Sequence, residues 1–179
     1  MTTGRRARPA VLAAAAGLVL VLVLAGCNTA AVDETRGCQE QRQADEAKVR
    51  VSRWESPEDL PHVGEYSEIH WQARALGNPC SRAPGPTDWE YQGVIVLRPE
   101  DAHRLAEQFA FVPFASIDPA ELLHSHTPTD VRPDLVPFLP AKPRWLHSQT
   151  YNETLPSAVW RVVFLDLEHQ TLLFMLNDH

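Results

Sequence analysis

The chain has 179 residues, 16 basic and 23 acidic side chains and a formal net charge of −7. An acidic balance of this size excludes the basic footprint that nucleic-acid binding requires, and it makes anionic lipid headgroups poor partners. The length suits one hydrophobic core of ordinary size, with the three cysteines left to be placed by compartment.

Arg5, Arg6 and Arg8 begin the chain, and the apolar run Val11 to Val23 that follows is too short to span a bilayer comfortably. Leu24-Ala25-Gly26-Cys27 comes directly after it. On these residues the chain resembles a bacterial lipoprotein precursor, with Leu-Ala-Gly-Cys as the lipobox. The resemblance covers the targeting segment only. It implies a signal peptide over residues 1–26, cleavage before Cys27, acylation of Cys27, and a protein held on the extracytoplasmic face of a cell membrane. An ordinary secretory signal with a site near Ala30-Ala31, or an uncleaved anchor, is the alternative, and Arg5-Arg6 lacks the apolar residues that twin-arginine signals prefer. Two acyl chains anchor stably where one does not, since each buried methylene contributes about 0.8 kcal/mol. Removing residues 1–26 takes away three arginines and no acids, which leaves 13 basic and 23 acidic residues, a net −10. Arginine outnumbers lysine fourteen to two, which together with abundant Ala and Pro fits a GC-rich genome such as an actinobacterial one.

Residues 27–35 read as the lipidated terminus and a short polar tether, and 36–179 as a single globular domain. Cys38 and Cys80 remain for an oxidising compartment and are expected to pair, with two free buried thiols, or a redox pair without a C-x-x-C motif, as the alternatives. Glu34 to about Trp54 is proline-free, with Cys38, Ala44, Ala47, Val51 and Trp54 near helical spacing, so a helix is predicted there. Pro57 and Pro61 end it. Glu68 to Ala75 alternates, with Ile69, Trp71, Ala73 and Ala75 on one face, as a half-buried strand does. After a Pro/Gly-rich connection, Trp89 to Arg98 reads as a second strand, apolar on both faces and antiparallel to the first. Pro99 opens a helix with Glu100 and Asp101 in its first turn and Ala102, Leu105, Ala106 and Phe109 as its stripe. Asp118-Pro119-Ala120-Glu121 signals another short helix, and the prolines from Pro113 to Pro143 imply a wrapped loop with one helical turn near Asp134. Strands follow around Arg144 to His147, at Ala158 to Leu167 and at Thr171 to Asn177, the last two as a hairpin over Glu168-His169-Gln170. The expected fold is α+β, a mainly antiparallel sheet of about five strands with helices packed on one face.

Motifs of nucleotide binding, of serine hydrolases and of zinc peptidases are absent, and nothing calls for a cofactor. His124-Ser125-His126, with Asp130, Asp134 or His147 as third ligand, is the one metal-like pattern, and an envelope hydrolase built on His124 and His126 is the alternative reading. Histidines two apart do not share a helix face, however, and at a helix end they complement the dipole. Ser125 or Ser148 beside a histidine lacks an evident orienting carboxylate, and Asp166, Glu168 and Asp178 read as a solvated turn and chain end. Aromatic side chains are the better site material: Trp71, Trp89, Tyr91, Trp145 and Trp160 fall on strands, with Arg74, Arg82 or Arg144 near them, although core packing competes for such rings. In the loop Gly77 to Asp88, pinned by Cys80, Arg82 is expected exposed and Trp89 to wall a shallow pocket for an anionic or aromatic group. The function expected is a membrane-anchored, non-enzymatic binding or interaction module, whose partner is an envelope protein or a small ligand.

Overall fold

The computed structural model describes residues 35–55, 57–81, 87–118, 126–155 and 161–178. Contacts divide the chain at Arg42, and apart from the helix that crosses this point and the Cys38–Cys80 disulfide the account below concerns the unit Gln43–His179. Helix α1 covers residues 35–46. It stops well short of Trp54, contrary to the expectation of one long helix. Arg50 instead exchanges both backbone hydrogen bonds with Trp71, at 2.8 and 2.9 Å, so the chain runs extended beside the first strand. Backbone pairing to a sheet thus outweighs the modest helical propensity of residues 47–54.

The sheet has six strands, one more than expected, in the order β1-β2-β6-β5-β4-β3 and antiparallel throughout. These are β1 (Tyr66–Ala75), β2 (Trp89–Leu97), β3 (Val112–Pro113), β4 (Leu146–His147), β5 (Arg161–Asp166) and β6 (Thr171–Asp178). The additional strand, β3, is only two residues long and ends in proline, too short to leave a periodic signal. The β1–β2 pairing and the β5–β6 hairpin form as the alternation implies. β6 returns to lie between β2 and β5, and Leu172, Leu173, Phe174 and Met175 are wholly buried on its two faces. Burial of each such side chain contributes roughly 1.5–3 kcal/mol.

The helices pack on one face, as the pattern predicts. Helix α2 (Pro99–Gln108) has Pro99 in its first turn and buries Ala102 and Leu105 against Ile95, Leu97 and Leu172. Helix α3 (Gln149–Thr154), which no periodicity announced, is capped by Ser148, whose Oγ accepts from Tyr151 N–H at 3.1 Å and donates to the Phe109 carbonyl. Buried Tyr151 donates to the Pro61 carbonyl at 2.8 Å, and burial pushes its phenol well above the ordinary value. The opposite face is covered without a regular helix. Val94, Val162, Phe164, Leu173 and Met175 pack there against Phe114, Val131, Leu139 and Trp145 of the proline-rich segment. A 3-10 turn at Pro133–Phe138 supplies the helical turn foreseen near Asp134, and Phe138 stacks on His70 at 3.6 Å between ring centroids. The helix expected from Asp118 and the strand start at Ala158 extend outside the described residues. None of the described helices is long and apolar enough to cross a membrane.

Cys38 and Cys80 form a disulfide. The bond closes a loop between positions 42 apart, for which loop entropy gives about 4 kcal/mol. Cys80→Ser, or reduction, is therefore expected to lower unfolding free energy by an amount of that order, read from urea curves with and without a thiol reductant. Equal midpoints in the two conditions would show the bond to be energetically idle.

Candidate functional site

Cross-strand pairing makes a checkerboard on the helix-bearing face. Trp71 of β1 lies beside Gly93 of β2, and Tyr91 of β2 lies beside Ala73 of β1, so each large ring neighbours a small residue. Gly93 is obligatory, because a Cβ there would fall 2.4 Å from the Phe174 ring and 2.9 Å from the Trp71 Cβ. Into the gap comes Trp54, delivered by the extended segment after α1. Its ring stands nearly perpendicular to Trp71 at 5.0 Å and to Tyr91 at 5.3 Å, and touches Phe174 at 5.3 Å. Edge-to-face pairs of this kind add about 0.5–1.5 kcal/mol each beyond area burial. Trp71 fixes the same segment by donating its indole N–H to the Ser52 carbonyl at 3.0 Å.

The rings do not close the surface. Arg50, Ser52, Trp54, Glu55, Asp59, Trp71 and Tyr91 surround a pocket of about 360 Å³. A second pocket of about 440 Å³ lies beyond Trp54, lined among others by Arg53, His62, Tyr66 and Asp101. His62 and Gly64 at its loop both take left-handed backbone, with φ of 66° and 75°. The Arg50 guanidinium sits 5.1 Å above the Trp71 ring, donates to Asp45 at 2.8 Å and reaches the Lys48 carbonyl at 3.5 Å. Arg161, on the same sheet face two strands from Tyr91, is buried with NH1 3.6 Å from Asp59 Oδ1. The Trp54 indole N–H is buried without an acceptor, so packing rather than hydrogen bonding holds that ring.

The structure brings together only some of the residues singled out from sequence. Trp71 and Tyr91 meet in the pocket. Trp145 packs against Phe164 on the opposite face instead. Trp89 pairs with Ala75 and Asp178 at the end of β2 and is exposed, two residues from Tyr91 on the same face. Arg82, His124, Ser125 and Trp160 lie outside the described residues. Arg144 is exposed at the β5–β6 turn, 3.4 Å from Glu168. His126 Nδ1 is 3.8 Å from Asp130 Oδ2, while His147 bonds Asn152 and Asp134 bonds Gln72. Among the described residues no three His, Cys, Asp or Glu side chains converge on a common point. Ser148, a nucleophile candidate on paper, spends its hydroxyl on capping α3.

Two buried polar centres lie on the opposite face. Glu90 of β2 is 4% exposed. It binds Arg74 at 2.5 Å, accepts from Gln92 at 2.8 Å and faces Arg132 of the proline-rich segment at 3.6 Å. Arg132 also donates to the Glu90 carbonyl at 3.2 Å, and its backbone N–H reaches Gln92 at 3.0 Å. Burial alone would raise the Glu90 pKa; the charges of Arg132 and Arg74 and the hydrogen bonds outweigh it and hold the carboxyl below its ordinary range. Asp166 corrects the expectation of a solvated turn: it is wholly buried. Its two oxygens accept from the backbone N–H groups of Arg144, Glu168 and His169, at 2.9, 2.9 and 3.2 Å, and contact His169 Nδ1 at 3.0 Å. Burial raises its pKa, yet these hydrogen bonds prevail and the net shift is downward.

Sequence reasoning missed Trp54, Arg50 and Asp59 as pocket residues. The available signal was Gly93 in the middle of an otherwise bulky strand, the mark of a close approach by another group. No protein-family model, curated protein or solved structure matches the chain.

Proposed function

We propose that the protein is a lipid-anchored, extracytoplasmic binding module with no catalytic chemistry of its own, and that the aromatic pocket at Trp54, Trp71 and Tyr91 is where it takes its ligand or partner. The pocket carries the reading: three rings, two carboxylates and a guanidinium surround an open space on the sheet face. Sites of this kind combine apolar walls with a few polar groups that orient the bound molecule. The anchor rests on the lipobox and Cys27.

Each part has its own test. Cys27→Ser is expected to abolish labelling by a palmitate analogue and to release the protein from the membrane fraction; equal labelling of wild type and variant would remove the anchor from the proposal. For the pocket, Ser52→Trp places a bulky ring at an exposed rim position and leaves the Ser52 carbonyl free to accept from Trp71. Affinity capture from envelope extracts should lose its specific component with this variant, while the melting temperature stays within about two degrees, as for other surface changes. Undiminished capture would place the site elsewhere.

A further inference from the structure

We propose that this pocket selects an organic cation, an ammonium or guanidinium group, as its ligand; the inference rests on the reading of the pocket as the binding site. The walls carry it first. Trp54 stands at 82° to Trp71 and 84° to Tyr91, so the three rings lining the pocket are not parallel and present aromatic surface to it at different orientations. Aromatic faces are the negative part of the ring quadrupole and attract a desolvated cation.

The charges at the rim agree. Glu55 is exposed at the pocket mouth, and the Asp59 side chain, 28% exposed, keeps access to solvent while facing Arg161 behind it. The positive group at the mouth, Arg50, is already matched by Asp45 and by the Trp71 ring. Arg50 therefore offers little to an incoming anion, which would also meet Glu55, while Asp59 is matched by Arg161. The position of Arg50 itself shows how this wall receives a guanidinium. A neutral apolar guest would fill the pocket but leave Glu55 unused. The net −10 of the chain after Cys27 adds a long-range field that concentrates cations and repels anions.

The test uses the full chain and three probes of one shape: choline, its neutral isostere 3,3-dimethylbutanol, and the anion 3,3-dimethylbutanoate. Tryptophan emission and calorimetry follow each titration in wild type, Ser52→Trp and Glu55→Gln. Choline is expected to bind saturably, about tenfold more tightly than the neutral isostere, and to lose affinity several-fold in Glu55→Gln and in raised salt. Glu55 makes no contact that folding requires among the described residues, so its variant tests recognition and not stability. Equal or tighter binding of the isostere or the anion would overturn the cation selectivity while leaving the pocket as a binding site. Choline binding unchanged in Glu55→Gln would overturn the role given to the rim carboxylate. If no probe gives a signal that Ser52→Trp removes, the inference fails, and the capture experiment above decides separately whether the pocket binds anything else.

Discussion

Glu90→Ala is expected to destabilise the fold by roughly 3–5 kcal/mol, the range for removing one partner of a buried ion pair. The cause lies in what remains. Arg132, whose side chain is 13% exposed, would keep its charge with its main carboxylate partner gone, and Gln92 would lose an acceptor. Arg74, half exposed, would turn to water. Urea unfolding of Glu90→Leu, Arg132→Met and the pair Glu90→Leu/Arg132→Met, beside Glu90→Ala, separates charge from packing. The double variant should recover much of the loss, because replacing both charges by apolar groups removes the desolvation cost as well as the attraction. A double variant as weak as the sum of the singles would show that the two side chains act independently.

Asp166→Ala is expected to cost about 3 kcal/mol or more, since three backbone N–H groups and the His169 ring lose their acceptor in a buried position. For a chain of this size that corresponds to a fall in melting temperature of roughly 10 °C. Asp166→Asn should recover a minor part, because one amide oxygen replaces two carboxylate oxygens. The pH dependence has a definite sign. Asp166 and Glu90 both have folded-state pKa values below their ordinary ones, so the unfolded chain takes up their protons first as pH falls. Their contribution is fully present above the unfolded values, about pH 4, and is lost as pH drops through the lowered folded values. Wild type should therefore lose stability as pH falls below about 4 more steeply than Asp166→Asn does. Parallel profiles would mean that Asp166 does not titrate differently in the two states.

Alternation in β1 and the mixed apolar runs of β2, β5 and β6 made the sheet legible, because a side-chain period of two is a local property. The proline-rich segment was legible for a similar reason, its closely spaced prolines leaving room only for a two-residue strand and a 3-10 turn among the described residues. The region after α1 was not legible. Residues 47–54 carry a weak helical pattern, and only the distant Trp71 backbone, brought alongside by the fold of β1, turns them into an extended segment. Trp54 was misplaced with it, and so was the pocket. Asp166 failed differently: a carboxylate beside a hairpin turn resembles any solvated turn residue, and its burial depends on Arg144 arriving from a different part of the chain.

The two margins of the sheet bear on how neighbouring copies meet. At the β1 margin Arg50 occupies the backbone groups of Trp71, and Glu46 accepts the Ala75 N–H at 3.2 Å. The opposite margin is β3, two residues long and ending in Pro113. A neighbouring copy that sought to extend the sheet would find one margin partly taken and the other too short, with a proline that has no proton to give. Copies held in a plane by the proposed lipid anchor would meet one another far more often than in free solution, and strand-to-strand aggregation is the hazard of that crowding. The Arg50–Trp71 bridge and the short β3 leave neighbouring copies little backbone to pair with at either margin.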